Sequence, residues 1–311
     1  MSTSGGTKAV VAALLANLGI AVTKFVAFAL TGASSMLAEA IHSVADSGNQ
    51  GLLLLGGRRA KRQATPEHPF GYGRERYIYA FIVAIVLFSV GGLFALYEAY
   101  HKYEEVHAGL EDKLLTGGLG WVPILVLSVA IVMESFSFRT AIVESNHVRG
   151  GQSWVQFVRT AKAPELPVVL LEDLAALLGL IFALVGVGMS LITGNAYWDV
   201  AGTVAIGVLL VTVAVVLALE TKSLLLGEGA SRTSVQRIRA ALEAQPEIER
   251  IIHMKTLHLG PEELLVAAKI GVRRTDSADE VAACIDAAEA RIRDVEPLAR
   301  VIYLEPDVYR P

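Results

Sequence analysis

The chain has 311 residues, of which 53% are hydrophobic and 19% are charged, and its mean hydropathy is +0.51. This composition is more apolar than that of an ordinary soluble protein, and it excludes a disordered chain and a collagen. The single cysteine, Cys284, excludes a disulfide-stapled secreted scaffold. The formal net charge of -4 leaves no strongly basic face, so we do not expect nucleic acid as a partner.

The charged residues divide the chain into two parts. Residues 220–311 hold 29 of the 58 Asp, Glu, Lys and Arg residues, and the first 219 residues hold the other 29. This distribution predicts an apolar domain over 1–219 and a water-soluble domain over 220–311.

Six apolar runs in the first part are long enough to cross a bilayer, which takes about 20 residues. We expect the first to be a retained span rather than a cleaved signal peptide, because it is longer than the apolar region of a signal. The six predicted spans are 9–30, 35–56, 78–100, 119–143, 166–192 and 198–219.

The cations between the spans predict the orientation. Residues 58–76 hold six Lys and Arg and residues 139–162 hold four, whereas residues 101–118 hold two. Because cationic loops stay on the cytoplasmic side, both termini are predicted to be cytoplasmic. We therefore expect an integral protein of the plasma, or inner, membrane.

The second part predicts a small α+β domain. Pro246, Gly260, Pro261 and Pro297 separate its predicted elements. The alternation of apolar residues from 264 to 272 has the period of a half-buried strand. The predicted order is helix 231–245, strand 249–258, strand 263–273, helix 277–294 and strand 299–305.

The second predicted span carries a polar face. Glu39, His42 and Asp46 fall within an arc of about 60° on a helix, and Ser35, Ser43, Asn49 and Gln50 widen the same stripe. Each ionisable residue in a span costs about 2.5–3.5 kcal/mol, so this face must look into the bundle or a water-filled cavity.

His42 and Asp46 lie one helical turn apart, which is a metal-ligand spacing. In a soluble helix such a pair is more often hydrogen-bonded or solvated, but inside a span a functional role is favoured. One imidazole with two or three carboxylates suits Zn²⁺, and Mn²⁺, Fe²⁺ or Co²⁺ are alternatives.

Other spans carry ionisable residues as well. The fifth holds Glu172 and Asp173 side by side, and because neighbours on a helix point about 100° apart, only one of them projects straight at a shared site. Glu134 in the fourth span is either a structural hydrogen-bonding group or part of an ion path. Lys24 lies near a span end, where we expect its amine to reach the interface. Asp199 is expected to be a helix-end residue.

Two absent motifs narrow the function. The sequence contains no HExxH, the signature of an intramembrane zinc protease, and no GxxxxGK[ST], the phosphate loop of an ATP-driven pump. We therefore expect no catalytic residues and no bound cofactor. The expected protein is a secondary active transporter driven by an ion gradient, not an enzyme.

The first two spans resemble those of a known family. The pattern of Asn17, Lys24, Gly32, Ser34 and residues 37–46 is similar to the first two helices of the cation diffusion facilitators, the zinc transporter family. The segment HPFGYGRERY, residues 68–77, resembles the cytoplasmic loop of the branch that includes zinc transporter nine.

This resemblance covers the whole chain and implies a function. It implies a bundle of six transmembrane helices with a C-terminal ferredoxin-like cytoplasmic domain, which forms a homodimer in the family. It also implies export of a divalent metal ion, most simply Zn²⁺, from the cytosol in exchange for protons. The ion is then the transported substrate, and the lipid bilayer and a second copy of the chain are the other partners.

Carried over by position, the family's transport site falls on His42, Asp46 and Asp173. The family's other fifth-span ligand lies four residues before Asp173, where this chain has Val169. The fourth ligand is therefore open, with Glu172 the first candidate, Glu39 the second and water the third. The resemblance also raises a tail metal site, but His253 and His258 are expected on opposite faces of one strand.

Two other functions remain as alternatives. The first is an exporter of Mn²⁺ or Fe²⁺ from the same family. The second is a non-transporting membrane scaffold, whose polar stripe would hold helices together.

Overall fold

The computed structural model describes residues 18–308. The first part of the predicted span 9–30 lies outside the described residues. In chain order the helices are α1 (Leu18–Thr31), α2 (Ser34–Arg59), α3 (Glu75–Val86), a π-helical segment (Leu87–Leu93), α4 (Phe94–His107), α5 (Lys113–Thr116), α6 (Trp121–Arg149), α7 (Trp154–Thr160), α8 (Glu165–Thr193), α9 (Tyr197–Leu226), α10 (Arg232–Glu243) and α11 (Ala278–Val295). The strands are β1 (Arg250–Gly260), β2 (Glu263–Gly271) and β3 (Val301–Asp307).

Four helical stretches among the described residues are long and apolar enough to cross a bilayer. They are Glu75–His107, Trp121–Arg149, Glu165–Thr193 and Tyr197–Leu226. Helix α2 is long enough, but its polar face lowers its hydropathy. The predicted apolar helical domain is thus confirmed, and the number of six spans stays a prediction.

The described residues form two compact units. Residues 18–55 and 79–221 form the first, and residues 56–78 and 222–308 form the second. The loop after α2 therefore groups with the tail rather than with the spans.

The first unit has a core of small and branched side chains. Its fully buried residues include Met36, Leu87, Leu127, Leu180 and Ile206. Glycines let helices α8 and α9 approach closely: a Cβ on Gly186 would lie 2.9 Å from the carbonyl oxygen of Trp198. Close backbone approach at small residues is the usual way that helices pack in a membrane.

The second unit contains the predicted tail domain. Its sheet has the order β1-β2-β3, with β1 and β2 antiparallel and β2 and β3 parallel. The alternating residues Leu264, Val266, Ala268, Ile270 and Val272 are all buried against α10 and α11. The five predicted tail elements are confirmed with shifts of a few residues at their ends.

The loop segment HPFGYGRERY packs on the β1-β2 turn within this second unit. A Cβ on Gly73 would lie 2.9 Å from the carbonyl oxygen of Leu259, so only glycine allows this approach. Nearby, Arg76 Nη1 lies 3.2 Å from Glu262 Oε1. His68 stacks on the ring of Tyr72 with 4.7 Å between ring centroids, which gives this histidine a packing role.

Candidate metal site

The polar face of α2 points into the first unit. Glu39, His42 and Asn49 are at most 1% exposed, and the side chain of Asp46 is 19% exposed. The predicted burial of this stripe is confirmed. Lipid could not satisfy these groups, so the bundle supplies their surroundings.

His42 and Asp46 meet as their spacing predicts. His42 Nε2 lies 3.4 Å from Asp46 Oδ2, and both ring nitrogens have no hydrogen-bond partner among the described residues. The π-helical segment passes beside the ring, since a Cβ on Gly91 would lie 3.9 Å from Nδ1. Buried imidazole nitrogens without hydrogen bonds are available to bind a cation or a proton.

Helix α8 brings Glu172 and Asp173 to the same region, and each is held by a neighbouring helix. Asn49 Nδ2 of α2 donates to Glu172 Oε1 at 2.6 Å. Ser137 Oγ of α6 donates to Asp173 Oδ2 at 2.9 Å. A carboxylate can accept about four hydrogen bonds, so each of these two groups has lone pairs beyond the bond described here.

A small cavity joins these carboxylates. Its volume is about 30 Å³, whereas one water needs about 10–15 Å³. Four carboxylates line it, and the polar side chains of Ser43, Gln50 and Ser137 complete its polar wall. The lining carboxylates are Asp46, Glu134, Glu172 and Asp173.

The lining of the cavity differs from the predicted site at Glu134, His42 and Glu39. Glu134, which the sequence left undecided, lies on its wall. His42 and Glu39 are not on the wall, and His42 contacts Asp46, which is on it. Val169 lines the cavity with an apolar side chain where the family has a ligand. Across residues 18–308, no group of three or more His, Cys, Asp or Glu side chains has a metal-binding geometry.

Glu39, the second candidate for the fourth metal ligand, is paired with a lysine. Lys24 Nζ of α1 lies 3.0 Å from Glu39 Oε2 and donates to Ser43 Oγ at 2.7 Å. Lys24 is 3% exposed, so the expectation that its amine reaches the interface is wrong. The physical reason is that a buried amine is stabilised by a carboxylate on the facing helix, a pairing that sequence position alone does not show. Gly179 of α8 leaves room for Glu39, because a Cβ there would lie 2.5 Å from Oε1.

Asp199 also does more than its expected helix-end role. It lies at the start of α9, but its carboxylate accepts hydrogen bonds from the backbone N–H groups of Ser34 and Ser35, the first two residues of α2. The hydroxyls of both serines donate to it as well. Asp199 therefore caps the helix that carries His42 and Asp46, and it fixes that helix to α9.

Comparison with known families identifies the class of protein. The model of the family described as "Cation efflux transmembrane domain" matches residues 10–226, which is more than half of the chain. The chain belongs to the cation efflux family, and the resemblance to cation diffusion facilitators of the zinc transporter nine branch is confirmed.

Particular relatives are similar over most of this chain. The proton-coupled zinc antiporter SLC30A9, mitochondrial, of Homo sapiens is 33% identical over 258 residues, which are 82% of this chain and 44% of that protein. Metal tolerance protein C4 of Arabidopsis thaliana is 25% identical over 265 residues, 85% of this chain and 56% of that protein. The chain thus spans about half the length of these relatives. A solved double variant of the MamM C-terminal domain matches 25% of this chain and 94% of that chain, at 19% identity and a TM-score of 0.24.

Proposed function

We propose that this chain exports a divalent metal cation, most simply Zn²⁺, in exchange for protons. The observation that carries the proposal is the cavity inside a cation efflux bundle on which Asp46, Glu134, Glu172 and Asp173 converge. Four carboxylates around so small a volume repel one another unless a cation or protons are present. Human SLC30A9, by its name a proton-coupled zinc antiporter, supports the same exchange.

The proposed mechanism is alternating access around this cavity. The ion enters from the cytosol and displaces protons from Asp46, Asp173 and His42, because a metal and a proton compete for the same lone pairs. The bundle then opens to the other side, where protons return and the ion leaves. Glu172, Glu39 or water supplies the remaining ligand. Glu172 is favoured over Glu39, because Glu172 lines the cavity and Glu39 is paired with Lys24.

The proposal includes the arrangement of the whole protein. It takes six spans with both termini cytoplasmic, in the plasma or inner membrane, although the human relative is named as mitochondrial. In this proposal, residues 1–219 form the transport domain, and residues 220–311 form the domain through which two copies of the chain make a homodimer. The cationic content of residues 58–76 and 139–162 supports this orientation.

A second cargo is favoured by one feature of the cavity. Its polar lining consists of carboxylates, hydroxyls and an amide, while the imidazole of His42 stays behind Asp46. Oxygen-rich sites suit Mn²⁺ better than Zn²⁺, which prefers nitrogen and sulfur ligands. Export of Mn²⁺ or Fe²⁺ is therefore the alternative function.

The test is uptake of metal into liposomes that contain only this protein, with an imposed pH gradient. Asp46→Asn and Asp173→Asn should each abolish gradient-driven uptake of Zn²⁺. Glu134→Gln should lower it, whereas Glu144→Gln, an exposed glutamate on the same helix, should leave it unchanged.

Competition between metals in the same liposomes separates the cargoes. If excess Mn²⁺ inhibits the uptake of metal more strongly than excess Zn²⁺ does, the alternative cargo, Mn²⁺ or Fe²⁺, is favoured. Undiminished uptake by both aspartate variants would contradict the proposed site. If the wild-type protein takes up no metal at all, the other alternative, a non-transporting membrane scaffold, is favoured.

A further inference from the structure

An apolar cleft opens among the helices of the first unit, away from the proposed metal site. Its volume is about 700 Å³, and ten of its twelve lining residues are apolar. Helices α6, α8 and α9 form its walls from their adjoining ends, at Phe138, Leu174 and Leu219 for example. All three helices are long and apolar enough to cross a bilayer, and a cleft between three such spans would face hydrocarbon.

The short helix α7 forms the remaining side of the cleft. Phe157 anchors it, since this side chain is 3% exposed and packs with Ala141 and Leu170. Trp154 and Val155 line the cleft, and Val155 is 68% exposed. The guanidinium of Arg149 lies 4.2 Å from the ring centroid of Trp154. A short apolar helix with a tryptophan and arginines at the ends of spans is typical of the membrane interface.

An apolar space of this size does not stay empty in a membrane. Its walls would lose their dispersion contacts, and water would find only two charged residues to bind. Apolar surface gains nothing by leaving lipid for protein, so the hydrophobic effect does not draw a second protein into the cleft. A lipid acyl chain fits the apolar chemistry and the location of the cleft.

The charges near the cleft favour an anionic lipid. The lining holds one cation, Arg159, and one acidic residue, Glu220, and a second cation, Arg149, lies against Trp154 of the lining. Arg159 lies at the cleft with its side chain 71% exposed, and its Nε is 3.7 Å from Glu220 Oε1. So loose and exposed a pair leaves guanidinium donors available to a phosphate.

We propose that this cleft binds one acyl chain of an anionic phospholipid, with the phosphate of its headgroup beside Arg159. Leu171 and Leu174 line the cleft and lie next to Glu172 and Asp173 along α8. The bound chain therefore contacts the helix that carries two carboxylates of the metal site. The binding itself does not depend on what the protein transports.

The experiment uses the full chain in vesicles of equal parts phosphatidylglycerol and phosphatidylcholine. After extraction, native mass spectrometry should find one phosphatidylglycerol per chain. Val216→Trp fills the cleft from α9 and should lower this occupancy about tenfold. Val208→Trp is the matched control, because Val208 is an exposed valine of the same helix outside the cleft, and it should keep the lipid.

The headgroup contact has its own pair of variants. Arg159→Gln should remove the preference for phosphatidylglycerol over phosphatidylcholine, whereas Arg139→Gln, which changes an exposed arginine outside the cleft, should keep it. Leu219→Trp provides a second cleft-filling variant in case Val216→Trp does not fold. Equal lipid occupancy in wild type and the folded cleft-filling variants would overturn the proposal. A second result would also overturn it. If the wild-type protein carries no lipid and the cleft-filling variants have a different oligomeric state from wild type, the cleft belongs to the contact with a second copy of the chain.

Discussion

The buried ion pair between Lys24 and Glu39 leads to a large expected effect on stability. Nζ lies 3.0 Å from Oε2, and the two side chains are 4% and 0% exposed. Lys24→Met keeps most of the side-chain length and removes the charge. Glu39 then remains buried without its counter-ion, and Ser43 loses the donor that lies 2.7 Å away.

The size of the effect follows from the burial. Removing one partner of a buried pair costs about 3–5 kcal/mol, because the remaining charge is uncompensated. At about 1.4 kcal/mol per tenfold change, the ratio of folded to unfolded protein falls at least about 100-fold. Unfolding in mixed micelles, followed by tryptophan fluorescence, measures this loss. The three tryptophans, Trp121, Trp154 and Trp198, all lie in the first unit, so the signal reports on the unit that contains the pair.

Two further variants make the measurement specific. Lys113→Met changes an exposed lysine in the same unit, and its effect should stay within about 0.5 kcal/mol. Adding Glu39→Gln to Lys24→Met removes both charges and should recover most of the loss. The reasoning is refuted if Lys24→Met is as stable as wild type, or if the double variant is less stable than the single one.

Two other substitutions and one pH dependence test the capping and packing that hold the elements in place. Asp199→Ala should cost about 2 kcal/mol or more by the same fluorescence assay, because the first turn of α2 loses its acceptor. Gly186→Ala should cost about 1–3 kcal/mol, because its Cβ would press on the backbone of α9. The backbone N–H and hydroxyl of Ser277 donate to Glu280 and hold the pKa of that carboxyl below its usual value. Since the lowered pKa belongs to the folded state, this stabilisation is present above the ordinary glutamate pKa of about 4.3 and is lost as the pH falls through the lowered value. Protection factors from hydrogen exchange in α11 should fall over that range.

Each of these expectations has its control. Asp199→Asn keeps one acceptor oxygen and should lose less stability than Asp199→Ala. Gly188→Ala lies two residues along α8, where an added Cβ meets only one side-chain atom at 3.9 Å, and should be nearly neutral. Glu280→Gln should remove the acid-dependent part of the change in α11. The capping argument is contradicted if Asp199→Ala and Asp199→Asn lose the same stability, and the packing argument if Gly186→Ala and Gly188→Ala do. The argument for Glu280 is contradicted if Glu280→Gln keeps the pH profile of the wild-type protein.

The tail could be predicted from the sequence because its signals are local. The alternation of Leu264, Val266 and Ala268 has the period of a strand, and prolines and glycines separate the elements. In the first unit, α2 and α8 match the predicted spans to within three residues, whereas α4, α6 and α9 run six or seven residues further and the short helices α5 and α7 were not predicted. The grouping of residues 56–78 with the tail could not be predicted from the sequence. It depends on the close contact of Gly73 with the β1-β2 turn, which is far away in the chain.

The candidate metal site could be predicted only where one helix carries the information. The spacing of His42 and Asp46 predicts their contact, because both lie on one face of α2. The partners on other helices have no such signal: Ser137 reaches Asp173 from α6, and Lys24 reaches Glu39 from α1. Glu134 was recognised as an intramembrane carboxylate, but only the packing of α6 shows that it lines the cavity.

The most direct test of the central claim is the proton release that accompanies metal binding to the purified full chain. Calorimetric titrations with Zn²⁺, in buffers that differ in ionisation enthalpy, measure how many protons leave for each bound ion. If metal and protons compete at Asp46 and Asp173, the wild-type protein releases protons on binding, and the double variant Asp46→Asn with Asp173→Asn loses that ion and its protons together. Metal binding and proton release that remain the same in the double variant would contradict the claim.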